Sequence, residues 1–216
     1  MLLSVYALDF KKLREDMVKY QIEQRGITDK VVLKTMLKVE RHLFVPFLLR
    51  HLAYTDQPLP IGEGQTISQP YIVALMTKLL ELNGTEKVLE VGTGSGYQAA
   101  ILAGLSKEVY TIEILPALAK KAKKLLKKLG YKNIKVKCAD GYLGWSEYAP
   151  FDAIIVTCAV EDIPRPLLEQ LAEGGRLVIP REKGYYQELQ LFTKLKGKVK
   201  EADIIPVRFV PMVRKR

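Results

Sequence analysis

Residues 88–100 read VLEVGTGSGYQAA, and this stretch decides the fold. Its first four residues are typical of a buried strand, and residues 92–96 read as a glycine-rich turn. Apolar residues from Tyr97 onward indicate the start of a helix. Strand, glycine turn and helix in this order form the unit by which an open α/β sheet holds a nucleotide-like ligand over its strand ends.

The chain beyond this stretch alternates between strand and helix patterns. Strands are predicted at residues 87–91, 109–112, 134–139, 153–157, 176–179, 188–194 and 199–210, and helices at 97–103, 115–129 and 164–172, with Gly174 and Gly175 forming the turn before the fifth strand. This alternation predicts an α/β fold whose seven-stranded sheet is mostly parallel, with helices on both faces and one antiparallel strand in the closing hairpin.

The part before the sheet reads as a helical extension. Helices are predicted at residues 10–25, 29–39 with Thr28 as the N-cap, and 71–82. The intervening segment, residues 53–70, reads as a long connecting loop, which in a compact domain is often functional. We therefore expect one domain over residues 1–216, with the helical part and substrate-side loop at 1–83 and the sheet at 84–216.

Ser68 lies just before the third of these helices and has two interpretations. As a structural residue it would be the N-cap, with Pro70 in the first helical turn. As a functional residue it would present its hydroxyl at a helix N-terminus beside the ligand. The residues themselves leave both open.

The glycine turn favours one class of ligand. A dinucleotide fingerprint reads G-x-G-x-x-G, but here Tyr97 stands where its third glycine would be. Glu90, two residues before Gly92, would oppose a phosphate and favour a cationic group. S-adenosyl-L-methionine carries a sulfonium and an ammonium and no phosphate, so the E-x-G-x-G-x-G pattern predicts a methyl-donor site.

Two further acidic residues support this prediction. Glu113 ends the second strand, twenty-one residues after Gly92, where acidic side chains meet ribose hydroxyls. Asp140 comes directly after the third strand, where it could meet the adenine amino group. Acids at the carboxyl ends of three consecutive strands converge on one edge of the sheet.

The overall composition bears on the possible partners, on metal binding and on the cellular compartment. The formal net charge of +10 fits either an anionic partner such as RNA or a lysine-rich solvated surface. Cys138 and Cys158 read as small buried hydrophobic residues in a reducing compartment, and with two histidines the chain offers no metal-ligand cluster. The start of the chain is a poor signal peptide, and no apolar run approaches a membrane span, so we expect a soluble cytoplasmic protein.

The segment after the fourth strand suggests the acceptor. Enzymes that methylate amino groups of nucleic acids would be expected to carry an Asn/Asp-Pro-Pro-aromatic turn there, whereas this chain reads TCAVEDIP at residues 157–164. No base is evident in that segment. A carboxylate acceptor needs none, because it is already ionised at neutral pH.

Three segments of the chain resemble the protein-L-isoaspartate O-methyltransferase family: GQTISQP at 64–70, VLEVGTGSG at 88–96 and RFVP at 208–211. The glycine loop is shared by many methyltransferases, but the Thr-Ile-Ser-x-Pro element is not. The resemblance covers nearly the whole chain, with supporting segments at residues 40–46, 54–62 and 173–180.

The resemblance implies a Rossmann-like S-adenosylmethionine-dependent methyltransferase fold and a repair reaction without a metal. The methyl group would pass from S-adenosyl-L-methionine to the free α-carboxylate of L-isoaspartyl residues in damaged proteins, leaving S-adenosyl-L-homocysteine. The ester would then collapse to a succinimide that can reopen to normal aspartate. Nucleic acids and membranes are not expected partners.

The resemblance also implies roles for individual residues. Ser68 matches the active-site serine, which would orient the acceptor carboxylate. The residues expected at the cofactor are Glu90, Gly92, Thr93, Gly94, Gly96, Glu113, Asp140 and Gly141. Those expected to border the substrate peptide are Thr66, Ile67, Thr157 and Arg208. Cys158 departs from the family pattern, where a small residue such as alanine is expected.

Two rival functions remain. An RNA methyltransferase would explain the positive charge and could use Cys158 as a nucleophile toward a pyrimidine, although the Pro-Cys context is missing. A non-enzymatic sensor would bind the methyl donor and release it unchanged.

Overall fold

The computed structural model describes residues 8–214, and two sheets contain all the strands of that part. The strands are β1 (Leu59–Gly62), β2 (Gln65–Ile67), β3 (Lys87–Val91), β4 (Glu108–Glu113), β5 (Ile134–Cys138), β6 (Phe151–Val156), β7 (Leu171–Lys183), β8 (Tyr186–Leu195) and β9 (Lys198–Val207). β1 and β2 form a separate hairpin, and the other seven lie in the order β5-β4-β3-β6-β7-β8-β9.

The large sheet has the predicted connectivity. Its pairs are parallel from β5 to β7, and β8 is antiparallel to both of its neighbours. The prediction of a mostly parallel seven-stranded sheet with one antiparallel strand is therefore confirmed. The chain runs outward from β3 to β5 and returns to β6 on the other side of β3, so the strand order reverses between β3 and β6, where α/β sheets bind ligands.

The helices are α1 (Phe10–Asp16), α2 (Lys30–Lys38), α3 (Pro70–Leu79), α4 (Tyr97–Ala103), α5 (Pro116–Lys128) and α6 (Arg165–Glu169). α1 continues as π-helical and 3₁₀ turns to Arg25, so the predicted helix over residues 10–25 is confirmed, and Gly26 ends it at φ +91°. The N-cap of α2 is Asp29, not the predicted Thr28, because the Asp29 carboxylate accepts both Val31 N–H and Val32 N–H.

Two segments differ from the predictions. The predicted loop over residues 53–70 contains the β1–β2 hairpin, in which Leu59 and Ile61 point into the core.

The other difference is the start of β7. This strand begins at Leu171, so α6 is shorter than predicted, and Gly174 and Gly175 lie inside a strand. A Cβ at Gly175 would come within 3.0 Å of Asp152 O, and the β6–β7 register shifts nearby. The glycines therefore mark a bulge instead of a turn.

Two apolar clusters cover the two faces of the sheet. Successive residues of β6 enter different clusters, Ile154 one and Ile155 the other, as the alternation of a strand requires. The first cluster contains α2, α3 and α4, and the second contains Leu167 of α6. Helices on both faces are thus confirmed. The six lysines of α5 all face solvent.

No helix within residues 8–214 combines the length and the apolar character that crossing a membrane requires. The first seven residues, on which the prediction about a signal peptide mostly depends, lie outside the described part of the chain.

Candidate active site

The glycine turn after β3 is held in a conformation that only glycine adopts readily. Gly92 has φ +99°, and its N–H donates to Ile112 O at 2.8 Å. A Cβ at this position would lie 2.4 Å from Thr157 Oγ1. The Thr157 hydroxyl donates to Gly92 O at 2.8 Å, so the turn is fixed against the end of β6 at the point where the strand order reverses.

This turn forms one wall of a cavity, which we name the glycine-loop cavity. Among the side chains that line it is Glu113, which ends β4 and is 6% exposed. Its carboxylate accepts Gly94 N–H at 2.8 Å and Leu115 N–H at 3.0 Å. Each oxygen keeps a further lone pair, so the carboxylate is held in place and can still accept hydroxyl groups of a ligand.

Glu90 lies on β3, is fully buried, and is not among the residues that line the cavity. Neither carboxylate oxygen has a hydrogen-bond partner within residues 8–214. The pKa of Glu90 is raised to about 8, mainly by burial; the Thr111 hydroxyl, 2.6 Å from that of Thr93, opposes this rise, and the Glu113 carboxylate adds to it by a smaller amount. An unpartnered buried carboxylate is costly, and a nearby cationic ligand would stabilise it.

The other predicted cofactor residues divide into two groups. Gly141 lines the cavity, and a Cβ there would lie 2.4 Å from Val91 Cγ1. Asp140 instead caps the following turn by accepting Tyr142 N–H at 2.9 Å. Two more predicted residues, Thr93 and Gly96, belong to the glycine turn but do not line the cavity.

The charge of the glycine-loop cavity discriminates between ligands. Of the described residues that line it, none is basic and Glu113 is the one that carries a carboxyl group. Phosphate groups of a dinucleotide would be repelled here, whereas a cationic ligand with ribose hydroxyls fits. The residues therefore fit S-adenosylmethionine.

A second hollow, the Ser68 cleft, lies against the first. It is lined by Pro58, Thr66, Ser68, Gln69, Ile72, Thr157, Pro206, Val207, Arg208, Phe209 and Val210. Thr66, Thr157 and Val210 line both hollows. A group transferred between two bound ligands would cross at these three residues.

Ser68 is not a helix cap. The N-cap of α3 is Gln69, with Pro70 at the first helical position. The Ser68 hydroxyl makes no hydrogen bond with any residue of the described chain, although the side chain is half-buried. The structural interpretation of Ser68 is therefore wrong, and its hydroxyl is available to a ligand.

The predicted substrate residues are only partly brought together. Thr66, Thr157 and the exposed Arg208 line the Ser68 cleft, but Ile67 is 3% exposed, packs in the core and lines neither hollow. Within a strand the side chain next to an outward-facing one points inward, and Ile67 comes directly after Thr66.

The segment after β9 contributes more residues to the glycine-loop cavity than the sequence indicated. Pro211, Met212 and Val213 line the glycine-loop cavity. The segment is tied to the end of β6 by two backbone bonds, from Ala159 N to Val210 O at 2.9 Å and from Met212 N to Ala159 O at 2.7 Å. The RFVP motif pointed to its beginning, but no local pattern placed the rest over the cavity.

The two cysteines differ. Cys158 is buried as predicted and lines the glycine-loop cavity. Burial raises the pKa of its thiol to about 12. Cys138 is exposed, contrary to the prediction, because β5 lies at the edge of the sheet. No group of three His, Cys, Asp or Glu side chains among the described residues is arranged to hold a metal ion.

Comparison with known proteins gives a consistent result. A family model described as protein-L-isoaspartate(D-aspartate) O-methyltransferase matches residues 11–216. The chain is 59% identical to protein-L-isoaspartate O-methyltransferase 2 of Shewanella sediminis, over 94% of this chain and 84% of that protein. It is 56% identical to protein-L-isoaspartate O-methyltransferase 1 of Syntrophobacter fumaroxidans, over 96% and 97% of the two chains.

Solved structures agree. A family structure from Plasmodium falciparum, in complex with S-adenosyl-L-homocysteine, aligns with a TM-score of 0.84 at 29% identity and covers 97% of this chain and all of that one. A protein-L-isoaspartate O-methyltransferase structure aligns with a TM-score of 0.83, also at 29% identity, over 92% of this chain and 65% of that one.

Proposed function

Because this chain belongs to the protein-L-isoaspartate (D-aspartate) O-methyltransferase family, we propose that it methylates the free α-carboxylate of L-isoaspartyl residues in damaged proteins and peptides. In this proposal S-adenosyl-L-methionine occupies the glycine-loop cavity and the isoaspartyl residue occupies the Ser68 cleft. When bound, the donor supplies a methyl group on a sulfonium, which is a good leaving group.

On the donor side, the residues hold and select the ligand. Glu113, fixed by two backbone N–H groups, accepts the ribose hydroxyls. The cationic amino-acid end, bound near Glu90, would favour the ionised form of this buried carboxylate, which no phosphate-bearing ligand would do. In this proposal Asp140 and Gly141 lie on the adenine side, and Gly141, where a Cβ would collide with Val91, lines the cavity itself.

On the acceptor side, one observation carries the proposal. The described residues that line the Ser68 cleft include no carboxylate, histidine or lysine, and Arg208 is the one ionisable side chain among them. An amine or hydroxyl acceptor would need a general base there, whereas an ionised carboxylate needs a cation and hydrogen-bond donors.

Ser68 provides a hydrogen-bond donor for the acceptor carboxylate, and Arg208 provides a cation. The Ser68 hydroxyl donates to the acceptor carboxylate and turns one of its oxygens toward the other cavity, and Arg208 attracts the negative charge. The Thr157 hydroxyl is already committed to backbone oxygens, so it shapes the boundary between the hollows and leaves orientation to Ser68. Catalysis is then mainly positioning.

The RNA methyltransferase alternative is not favoured. Cys158 could have served it as a nucleophile, but a buried thiol with a pKa of about 12 stays protonated at neutral pH. The lysines of α5 face solvent away from its apolar side, as a solvated surface requires. Both thiols are free, which supports a reducing, cytoplasmic compartment.

The test of the reaction class is the stability of the product. The protein is incubated with radiolabelled methyl donor and, separately, an isoaspartyl peptide and an RNA. We expect label on the peptide alone, released as methanol by mild base, as a carboxyl methyl ester requires. Base-stable label, or label on the RNA, would show that the acceptor is a different group.

A further inference from the structure

The turn between β7 and β8 forms a hollow that the methyl-transfer chemistry does not use. It is lined by Glu182 and residues 184–187 on one side and by Val207 and Arg208 on the other, and it encloses about 560 Å³. Val207 and Arg208 also line the Ser68 cleft. This hairpin groove therefore adjoins the cleft along one short segment of chain.

Two tyrosine side chains at the β7–β8 turn are exposed to solvent. The side chain of Tyr185 is fully exposed and that of Tyr186 is 53% exposed. Adjacent solvated aromatic rings contribute little to the stability of the fold. Aromatic side chains at the rim of a binding cleft are, by contrast, the residues that most often anchor a partner chain.

The groove has a fixed position relative to the cleft because Gln187 joins its two sides. The Gln187 side chain accepts Phe209 N–H at 2.6 Å and donates to Phe209 O at 3.2 Å. This pair of bonds extends the β8–β9 ladder beyond its last paired position, Val207. A substrate chain that occupies the cleft would thus meet a preformed groove.

The surface chemistry of the groove selects its occupant. Glu182 and Arg208 carry opposite charges, so their fields largely cancel. The rest of the lining is more polar than apolar, and its apolar part comes from the two tyrosine rings and Val207. Because the two charges largely cancel, an aromatic or large aliphatic side chain that packs on the exposed tyrosine rings would gain more here than a charged one.

We propose that the hairpin groove is a specificity subsite that receives an aromatic or large aliphatic side chain flanking the isoaspartyl residue of the substrate. This inference rests on the proposed function, because the isoaspartyl residue must occupy the Ser68 cleft. An extended chain advances about 3.3–3.6 Å per residue, so the occupant lies within a few residues of the isoaspartate.

The test uses a glycine-flanked isoaspartyl peptide and derivatives with one phenylalanine at each of the three positions on either side. Phenylalanine at one position should lower the KM of the parent protein about 3- to 10-fold, the range of one aromatic contact. The double variant Tyr185→Ala, Tyr186→Ala should lose that preference, with kcat and the KM of the all-glycine peptide unchanged. Tyr20→Ala, which removes a half-exposed tyrosine from the first helical segment, is the control and should retain the preference.

Three results would overturn the subsite: no position at which phenylalanine lowers KM, a preference that survives in the double variant, or a larger gain from lysine than from phenylalanine at the same position. In all three the parent protein still methylates the peptides. If it methylates no isoaspartyl peptide at all, the proposed function itself fails, so the two failures are distinguishable.

Discussion

At the scale of single residues, the site depends on three oxygen-bearing side chains in different states. Ser68 has a free hydroxyl, Glu113 a carboxylate held by two N–H groups, and Glu90 a buried carboxylate with no partner among the described residues. The sequence predicted Glu90 and Glu113 as functional from their positions, whereas for Ser68 the position left two interpretations open and the family resemblance implied the functional one. The sequence could not show that Gln69, one residue later, is the cap of α3.

Ser68→Ala should lower kcat/KM for an isoaspartyl peptide about 10- to 100-fold, the range for one hydrogen bond to a charged group. Because Ser68 does not cap α3, the midpoint of thermal unfolding and the Kd for S-adenosyl-L-homocysteine should stay unchanged. Ser146→Ala, at an exposed serine outside both hollows, is the control. Full activity in Ser68→Ala would remove Ser68 from the mechanism.

Glu113→Gln should weaken the binding of S-adenosyl-L-homocysteine about 10- to 100-fold, because an amide group would face a backbone N–H and lose the charge-assisted bonds. Calorimetry measures the Kd. Glu108→Gln, at the opposite end of β4 and partly exposed, should bind as the parent does. Equal affinity in Glu113→Gln would show that the carboxylate does not hold the ligand.

Glu90 should make stability depend on pH. Its folded-state pKa of about 8 lies above the unfolded value of about 4.3, so the native state holds the proton more tightly. Its contribution to stability is present below pH ~4.3 and is lost as the pH rises toward ~8. Compared with Glu90→Gln, the parent protein should therefore lose free energy of unfolding between pH ~5 and pH ~8.

Urea unfolding of the parent protein and of Glu90→Gln across this pH range gives the difference between their free energies of unfolding. The titration of all other groups cancels in that difference. A difference that does not change with pH would mean that Glu90 is ionised throughout, and so that burial does not control it.

At the scale of elements, the sequence predicted the helices and strands that are defined by a local pattern of residues. The strand, glycine turn and helix at residues 88–100 form as expected, and so does α5, whose lysine-rich face is solvated. The β1–β2 hairpin was missed because its strands are short and its turn combines Gly62, Glu63 and Gly64, all at positive φ. The start of β7 was missed because the bulge at its glycines depends on β6, which is distant in sequence.

The glycine turn provides a matched pair of substitutions. Gly92 and Gly84 have nearly the same φ, +99° and +101°, but a Cβ would meet Thr157 Oγ1 at 2.4 Å in the first and nothing within 4 Å in the second. Gly84→Ala should cost about 1–2 kcal/mol of stability from backbone strain alone and leave ligand affinity intact. Gly92→Ala should cost more and should also weaken S-adenosyl-L-homocysteine binding, because Thr157 or the turn must move.

Unfolding free energies and ligand Kd values of the two variants check this expectation. If Gly84→Ala and Gly92→Ala lose the same stability and bind the ligand equally, then contact with Thr157 does not shape the turn.

At the scale of the whole molecule, the order of the strands brings the two hollows together. β3 and β6 are neighbours in the sheet although β4, α5 and β5 lie between them in the chain, and the segment after β9 returns to the end of β6. Of the eight residues that the sequence predicted at the cofactor, four line the glycine-loop cavity: Gly92, Gly94, Glu113 and Gly141. The sequence did not reveal the contacts of residues 209–213, because these come from long-range pairing that has no local pattern.

The central claim is that the acceptor is the extra α-carboxylate of an isoaspartyl residue, held in a cleft without a general base. The ratio of kcat/KM for two peptides that differ only in L-isoaspartate versus L-aspartate at one position tests it most directly. We predict methylation of the isoaspartyl peptide and a ratio of at least about 10³, since a misplaced carboxylate loses the alignment on which positioning depends. Equal kcat/KM for the two peptides would contradict this claim.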